Sequence, residues 1–243
     1  MIGSSSAGLD VLLDRFGLTD KPYAGGTVRF ATAIKGLCQT FVDTFATGDV
    51  RYRVTFDNSL SAGTNVKEKV VRLGTDPILD DTLTPREVGR VMCGLAAHET
   101  GHIRDRGLIE ATPEAYRESP LRPEARTLSN VLDDVLSEKE YVKEYPGYRN
   151  IFQPTLEYVA KADGEVVPTA KNPMQVMVAA IRYDSFVTWD ASLEADRRWW
   201  QKWGEQYTGD TSVQTHLAGI KAGLERLKLN KGRGKPQPES GKG

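Results

Sequence analysis

His98-Glu99-Thr100-Gly101-His102 is the stretch that decides how this 243-residue chain is interpreted. Residues four positions apart lie on the same face of a helix, so the imidazoles of His98 and His102 can reach one metal ion. Glu99 follows the first imidazole, where its carboxylate can reach a water molecule bound to that ion. This arrangement is typical of a zinc hydrolase in which the glutamate is the general base. The third and last histidine of the chain, His216, lies far downstream.

The residues before this stretch predict the helix that carries it. The segment Thr84-Pro85-Arg86-Glu87 has a threonine cap, a proline at the first helical position and a glutamate that completes a capping box. Apolar residues then recur at helical spacing: Val88, Val91, Met92, Leu95 and Ala96. His98 and His102 continue this row. Gly101 weakens a helix interior by about 1 kcal/mol relative to alanine, so it predicts either close packing behind the site or the end of the helix.

A zinc site needs a third protein ligand besides an open position for water. Residues 124–143 are predicted to form a second long helix, which places Asn130, Asp134 and Glu138 on one face at intervals of four. We predict Asp134 as the third ligand. Asp133, about 100° away around the helix, is the alternative metal ligand, and Glu138 as a direct ligand is a further alternative.

The same helix face offers residues that could support the metal ligands. Glu138 is placed one turn beyond the predicted ligand, where it could accept the second N–H of His98 or His102 and so fix the imidazole tautomer. Asn130 could orient the ligand carboxylate or the same imidazole. We therefore expect Glu138 and Asn130 to surround the site without binding the metal.

Hydrophobic periodicity predicts an α+β fold that is mostly helical. Residues 50–56 and 67–73 alternate as strands, and we expect them to form a small hairpin or two-stranded sheet packed on the helix of the motif. The remaining predicted helices are residues 27–47, 148–161, 173–189, 193–203 and 212–229. The C-terminal half is therefore expected to be helical.

Composition excludes several classes of protein. Hydrophobic residues make up 39% and charged residues 27% of the chain, which is enough for a buried core. A net charge of −1 gives no electrostatic argument for binding nucleic acid or an anionic membrane. The N-terminus lacks a basic n-region and carries Asp10, Asp14 and Arg15 within its apolar stretch, so we do not expect a signal peptide. Cys38 and Cys93 are expected to be buried thiols, which favours a cytoplasmic location.

Two motifs together resemble a known family. The helix pair resembles the gluzincins, in which H-E-x-x-H is followed on a later helix by an acidic ligand and, four residues on, by a second acid. More narrowly, it resembles the metallopeptidase-like domains found beside von Willebrand A domains in cobalt-chelatase-like bacterial and phage-encoded proteins. The matching segments are His98-Glu99-Thr100-Gly101-His102, residues 130–138 (NVLDDVLSE) and Tyr145-Pro146-Gly147. The resemblance covers about residues 50–150, and this chain has no von Willebrand-like domain, so we expect a stand-alone member or a fragment.

The resemblance implies a single zincin-like metallopeptidase domain over residues 9–229, with a motif core at about 50–150 and a helical part at about 151–229. Residues 1–8 are expected to be flexible and residues 230–243 to be a disordered tail. The resemblance also implies Zn²⁺ as cofactor, a peptide or protein as substrate, and a host-cytoplasmic location if the protein is phage-encoded.

Two further hypotheses keep the zinc but change the function. In the first, the protein is a non-catalytic, zinc-stabilised interaction module that binds an ATPase or a phage component. Its contact surface would be the tryptophans of the C-terminal helices: Trp189, Trp199, Trp200 and Trp203. In the second, the protein is a zinc hydrolase that acts on an amide or ester other than a peptide.

For the peptidase hypothesis we expect two additional features. One is a donor that stabilises the oxyanion, for which Tyr141, Tyr145 and Tyr148 are the candidates. The other is an exposed strand edge at residues 70–73, which could hold the substrate by strand addition.

Overall fold

The computed structural model divides the chain into two compact units. One comprises Met1–Arg106 and Ser137–Val159, and the other comprises Gly107–Leu136 and Ala160–Gly243. The structure describes residues 6–46, 50–58, 62–104, 115–116, 118–162, 168–209 and 212–233. Most of these residues are helical and one small sheet is present among them, which confirms the predicted α+β class.

The first unit contains the motif helix and the sheet. In chain order its elements are α1 (Ser6–Arg15), α2 (Gly26–Phe45), β1 (Arg53–Asp57), β2 (Ala62–Asn65), β3 (Val70–Gly74), α3 (Asp76–Leu79) and α4 (Pro85–Arg104). The C-terminal part of α5 (Arg122–Glu144), a 3₁₀ turn at Pro146–Tyr148 and most of α6 (Arg149–Ala162) also belong to it.

The sheet has a different topology from the predicted hairpin. Strand β3 is central: it pairs in parallel with β1, where Val54 lies opposite Val71, and antiparallel with β2, where Thr64 also lies opposite Val71. The prediction that residues 70–73 form an exposed strand edge is therefore wrong, because β3 has a paired strand on each side. Strand β2 was not predicted, since its sequence AGTN lacks the β-branched and aromatic alternation that marks a strand.

Helix α4 begins as predicted. The Glu87 carboxylate accepts hydrogen bonds from the Thr84 backbone N–H at 2.7 Å and hydroxyl at 2.8 Å, and the Glu87 N–H donates to the Thr84 hydroxyl at 3.3 Å. These reciprocal bonds confirm the capping box. From there α4 packs against α2 and against strands β2 and β3. The most deeply buried apolar side chains on this helix are Val88, Met92, Cys93, Ala96 and Ala97.

The two cysteines lie in the core of the first unit, Cys38 on α2 and Cys93 on α4. Both are free thiols and both are fully buried, which confirms that they do not form a bridge. Removal from water raises the pKa of Cys38 to about 12 and raises the pKa of Cys93 well above its usual value. The thiolate forms are therefore disfavoured in the folded protein.

The second unit is helical. It contains the N-terminal part of α5, α7 (Pro173–Arg182), 3₁₀ turns at Asp184–Phe186 and Ala191–Leu193, α8 (Glu194–Tyr207) and α9 (Val213–Arg233). Trp200 and Trp203 are buried in its core, where the Trp203 indole N–H donates to the Gly219 carbonyl at 2.9 Å. Trp189 and Trp199 are half-buried beneath arginine guanidinium groups.

Several element boundaries differ from those predicted. Helix α7 ends at Arg182 instead of continuing to residue 189, and Asp184 in the following turn pairs with Arg197 at 2.6 Å. Helix α1 begins at Ser6 and α9 extends to Arg233, inside the segments predicted to be flexible. The rest of those segments, residues 1–5 and 234–243, lies outside the described residues. Among the helices described, none is long and apolar enough to cross a bilayer.

Close packing of α4 on α6 depends on Gly94. The Thr155 hydroxyl donates to the Val91 carbonyl at 3.0 Å, and a Cβ atom on Gly94 would lie 1.8 Å from that hydroxyl oxygen. We therefore expect Gly94→Ala to lower the free energy of unfolding by about 1–3 kcal/mol, since the two helices must separate. Thermal or urea unfolding of the variant measures this change.

Gly209→Ala is the control, because a Cβ there meets nothing closer than 3.8 Å. We expect this variant to unfold within about 0.5 kcal/mol of the parent protein. Equal stability of the Gly94→Ala variant and the control would contradict the tight α4–α6 contact.

Candidate metal site

The imidazoles of His98 and His102 converge one turn apart on α4. Their Nε2 atoms are 3.2 Å apart and the two rings are nearly perpendicular, at 88°. Two nitrogen ligands bound tetrahedrally to one zinc ion, each at about 2.0–2.1 Å, would lie about 3.4 Å apart. The spacing of the two Nε2 atoms therefore fits a shared metal ion.

Glu138 determines which nitrogen of His98 faces this point. Its Oε1 atom lies 3.2 Å from His98 Nδ1, and both side chains are 17% exposed. An ionised carboxylate can only accept a hydrogen bond, so Nδ1 carries the proton and Nε2 keeps its lone pair. The contact is the one predicted for Glu138. It holds the imidazole in the tautomer that a metal requires.

Asp134 lies one turn before Glu138 on the same uninterrupted helix, α5. Among the described residues, one group has the composition and spacing of a metal site: ligand atoms of His98, His102 and Asp134 lie within 4.8 Å of one another. Neither Asp133 nor Glu138 belongs to it. Two neutral imidazoles and one carboxylate form a donor set that suits Zn²⁺.

Arg182 supplies a positive charge beside the Asp134 carboxylate. Its Nε atom lies 3.8 Å from Asp134 Oδ2, and its side chain is only 7% exposed. Since Arg182 ends α7, the guanidinium also lies at the favourable, negative end of a helix dipole. The guanidinium therefore places a positive charge next to the negative charge of the Asp134 carboxylate.

Glu99 is buried and faces the sheet. Its Oε2 atom accepts a hydrogen bond from the Thr64 hydroxyl at 2.7 Å, and the same hydroxyl oxygen lies 3.1 Å from the Glu99 carbonyl oxygen. The pattern of the motif predicted the glutamate, but no pattern pointed to Thr64. A single threonine in a short, unpredicted strand carries no spacing signal.

Behind the site, α4 and the C-terminal part of α5 are in close contact. The Thr100 hydroxyl donates to the Ala97 carbonyl at 2.7 Å and therefore accepts from the Tyr141 hydroxyl at 2.6 Å. A Cβ atom on Gly101 would lie 3.0 Å from the Ser137 Cβ. Because α4 continues beyond Gly101 to Arg104, the glycine serves close packing and does not end the helix.

The tyrosines expected to stabilise an oxyanion lie in an aromatic cluster. Tyr141 and Tyr148 are buried with their rings 5.0 Å apart, and Tyr145 lies 5.7 Å from Tyr148. The Tyr141 hydroxyl already bonds to Thr100. The cluster therefore supports packing behind the motif helix.

Asp133 has a different environment from Asp134. It is buried within the second unit, with Oδ1 3.8 Å from His216 Nδ1, while the Ser129 hydroxyl lies 2.9 Å from His216 Nε2. Burial lowers the pKa of His216 to about 4, so the imidazole is neutral near pH 7. Asn130, expected to orient a carboxylate or an imidazole, is exposed.

The residues of the candidate site thus come from three parts of the chain: the motif, α5 and β2. The contribution of β2 was not predicted. No protein-family model, no curated protein and no solved structure matches the chain.

The contact between Glu138 and His98 predicts an effect on metal affinity. Glu138→Gln should weaken Zn²⁺ binding by about 10- to 100-fold, because the imidazole loses its charged acceptor and the fixed tautomer. Competition with a chromophoric chelator measures the dissociation constant. Glu140→Gln, on the exposed side of the same helix, should bind zinc as the parent does. An unchanged affinity in Glu138→Gln would show that the contact does not support a metal ligand.

Buried His216 predicts a pH dependence of stability. Its pKa in the folded state, about 4, lies below the ordinary value of 6.5. The unfolded chain therefore takes up a proton in this interval that the folded protein does not, and stability falls as the pH drops from 6.5 towards 4. Urea unfolding across this range should show a smaller loss for His216→Gln than for the parent. Identical losses would contradict a neutral, buried His216.

Proposed function

We propose that the protein is a zinc-dependent metallopeptidase with a zincin-like arrangement of its motif helix and sheet. The observation that carries this proposal is the pair of imidazole Nε2 atoms, 3.2 Å apart, on the helical turn that also carries the buried Glu99 carboxylate. A metal-ligand pair next to a buried acid is the arrangement needed to activate water.

His98, His102 and Asp134 would hold the ion, and three protein ligands are the number that catalytic zinc sites use. When bound, Zn²⁺ supplies Lewis acidity that polarises a peptide carbonyl and lowers the pKa of water. Glu99 accepts the proton of the attacking water on its carboxylate and later delivers it to the leaving nitrogen. Glu138 keeps His98 in the required tautomer throughout.

The outer strand β2 is the better candidate for binding an extended substrate. In the described sheet it pairs with β3 on one side, so its other side can accept a peptide strand by backbone hydrogen bonds. Through Thr64 this strand also contacts Glu99. This location replaces the edge expected at residues 70–73.

The interaction-module hypothesis has less support. Two of its four tryptophans are buried, and the other two are covered by Arg197 and Arg226 at 5.3 and 5.1 Å. These contacts favour a role in packing the second unit. A hydrolase for another amide or ester uses the same site chemistry, and substrate screening distinguishes it from a peptidase.

Replacing Glu99 tests the proposal. Glu99→Gln should retain stoichiometric zinc but lose peptide hydrolysis by a factor of about 10²–10⁴, because the amide cannot accept the proton. His102→Ala should lose zinc as well as activity. Zinc is measured by elemental analysis, and hydrolysis with a fluorogenic peptide library.

Glu140→Gln again serves as the matched control and should remain fully active. Parent protein that contains no stoichiometric zinc, or a Glu99→Gln variant that cleaves as fast as the parent, would refute the peptidase mechanism.

A further inference from the structure

We infer that Thr64 is a positioning residue for the general base, holding the Glu99 carboxylate in its reactive orientation from strand β2. This inference rests on the proposed peptidase function and assigns a role to a residue outside the motif.

The Thr64 hydroxyl oxygen lies close to two oxygen atoms of Glu99. The Thr64 oxygen lies 2.7 Å from Glu99 Oε2 and 3.1 Å from the Glu99 carbonyl oxygen. A hydroxyl has only one proton to donate. Because its contact to the Glu99 carboxylate is the shorter of the two, the Thr64 hydroxyl donates to that carboxylate. The side chain of Glu99 is thereby held near its own backbone, which limits the rotation of its flexible torsions.

The Thr64–Glu99 hydrogen bond matters because the Glu99 carboxylate is buried. Glu99 is 4% exposed, and a buried carboxylate without a hydrogen-bond donor is unfavourable. A general base must also lie within hydrogen-bond reach of the proton it accepts, and a displacement of about 1 Å can reduce the rate by about 100-fold. Thr64 engages one carboxylate oxygen and so determines the direction in which the other is presented.

A purely structural tie between sheet and helix is the competing explanation. Strand β3 also packs on α4, through contacts that do not involve Thr64, and its residues Val71 and Leu73 are fully buried. The sheet therefore remains attached to α4 without the hydroxyl. A substitution that removes only the hydroxyl should affect the reaction more than the fold.

Thr64→Val removes the donor at nearly constant volume, and Thr64→Ser retains it. We expect Thr64→Val to reduce kcat at least tenfold with KM changed less than twofold, and Thr64→Ser to recover most of the parent kcat. Zinc affinity should be the same in all three proteins. Thr40→Val, which removes a half-buried threonine hydroxyl from α2, is the matched control and should keep the parent kcat.

A second measurement does not depend on turnover. In the metal-free protein, the shifts in Tm caused by Thr64→Val and by Glu99→Ala should be non-additive in the double variant, because Val removes the donor and Ala removes the acceptor of the same hydrogen bond. Additive shifts would overturn the inference, as would a Thr64→Val enzyme with the parent kcat. Parent protein that binds zinc but cleaves no peptide would instead refute the proposed function, and non-additive shifts would then establish the Thr64–Glu99 bond alone.

Discussion

The contact between α4 and the C-terminal part of α5 is the constraint on which the candidate site depends. Because Gly101 has no side chain, the two helices can approach closely: a Cβ atom added at Gly101 would lie 3.0 Å from the Ser137 Cβ. At this separation the Tyr141 hydroxyl reaches Thr100 and the Glu138 carboxylate reaches His98. A larger residue at the glycine would lengthen both bonds together, so the packing and the chemistry of this helix pair cannot vary independently.

Three consecutive residues of the motif have partners on two other elements, α5 and β2. His98 contacts α5 through Glu138, Glu99 contacts β2 through Thr64, and Thr100 contacts α5 one turn further on. Successive helical residues point about 100° apart, which allows one turn to connect to elements on several sides. The side chains of His98, Glu99 and Thr100 therefore each have a polar partner in the interior, as buried polar groups require.

The same geometry separates Asp133 from Asp134. One carboxylate is buried beside His216, and the other lies near Arg182. Spacing along α5 was enough to favour Asp134, because it shares a face with Glu138. Nothing in the local pattern could reveal either partner, since Arg182 and His216 are distant in sequence and their roles arise from tertiary packing.

Local signals predicted local structure well. The capping box determined the start of α4, and the second long helix, predicted to end at residue 143, ends at Glu144. The sheet order was not predictable in the same way, because parallel pairing of β1 with β3 depends on a short intervening strand of small and polar residues. Thr64 was missed for that reason, although the proposed general base touches it.

The two buried thiols can report local opening of the unit that carries the motif. Cys38 and Cys93 lie on α2 and α4, and in the folded protein they are both inaccessible and protonated. A thiol reagent can therefore modify them only in molecules whose α2–α4 interface has opened. The rate of modification under native conditions then measures the local opening free energy of the helix that carries the metal-binding motif, without any introduced label.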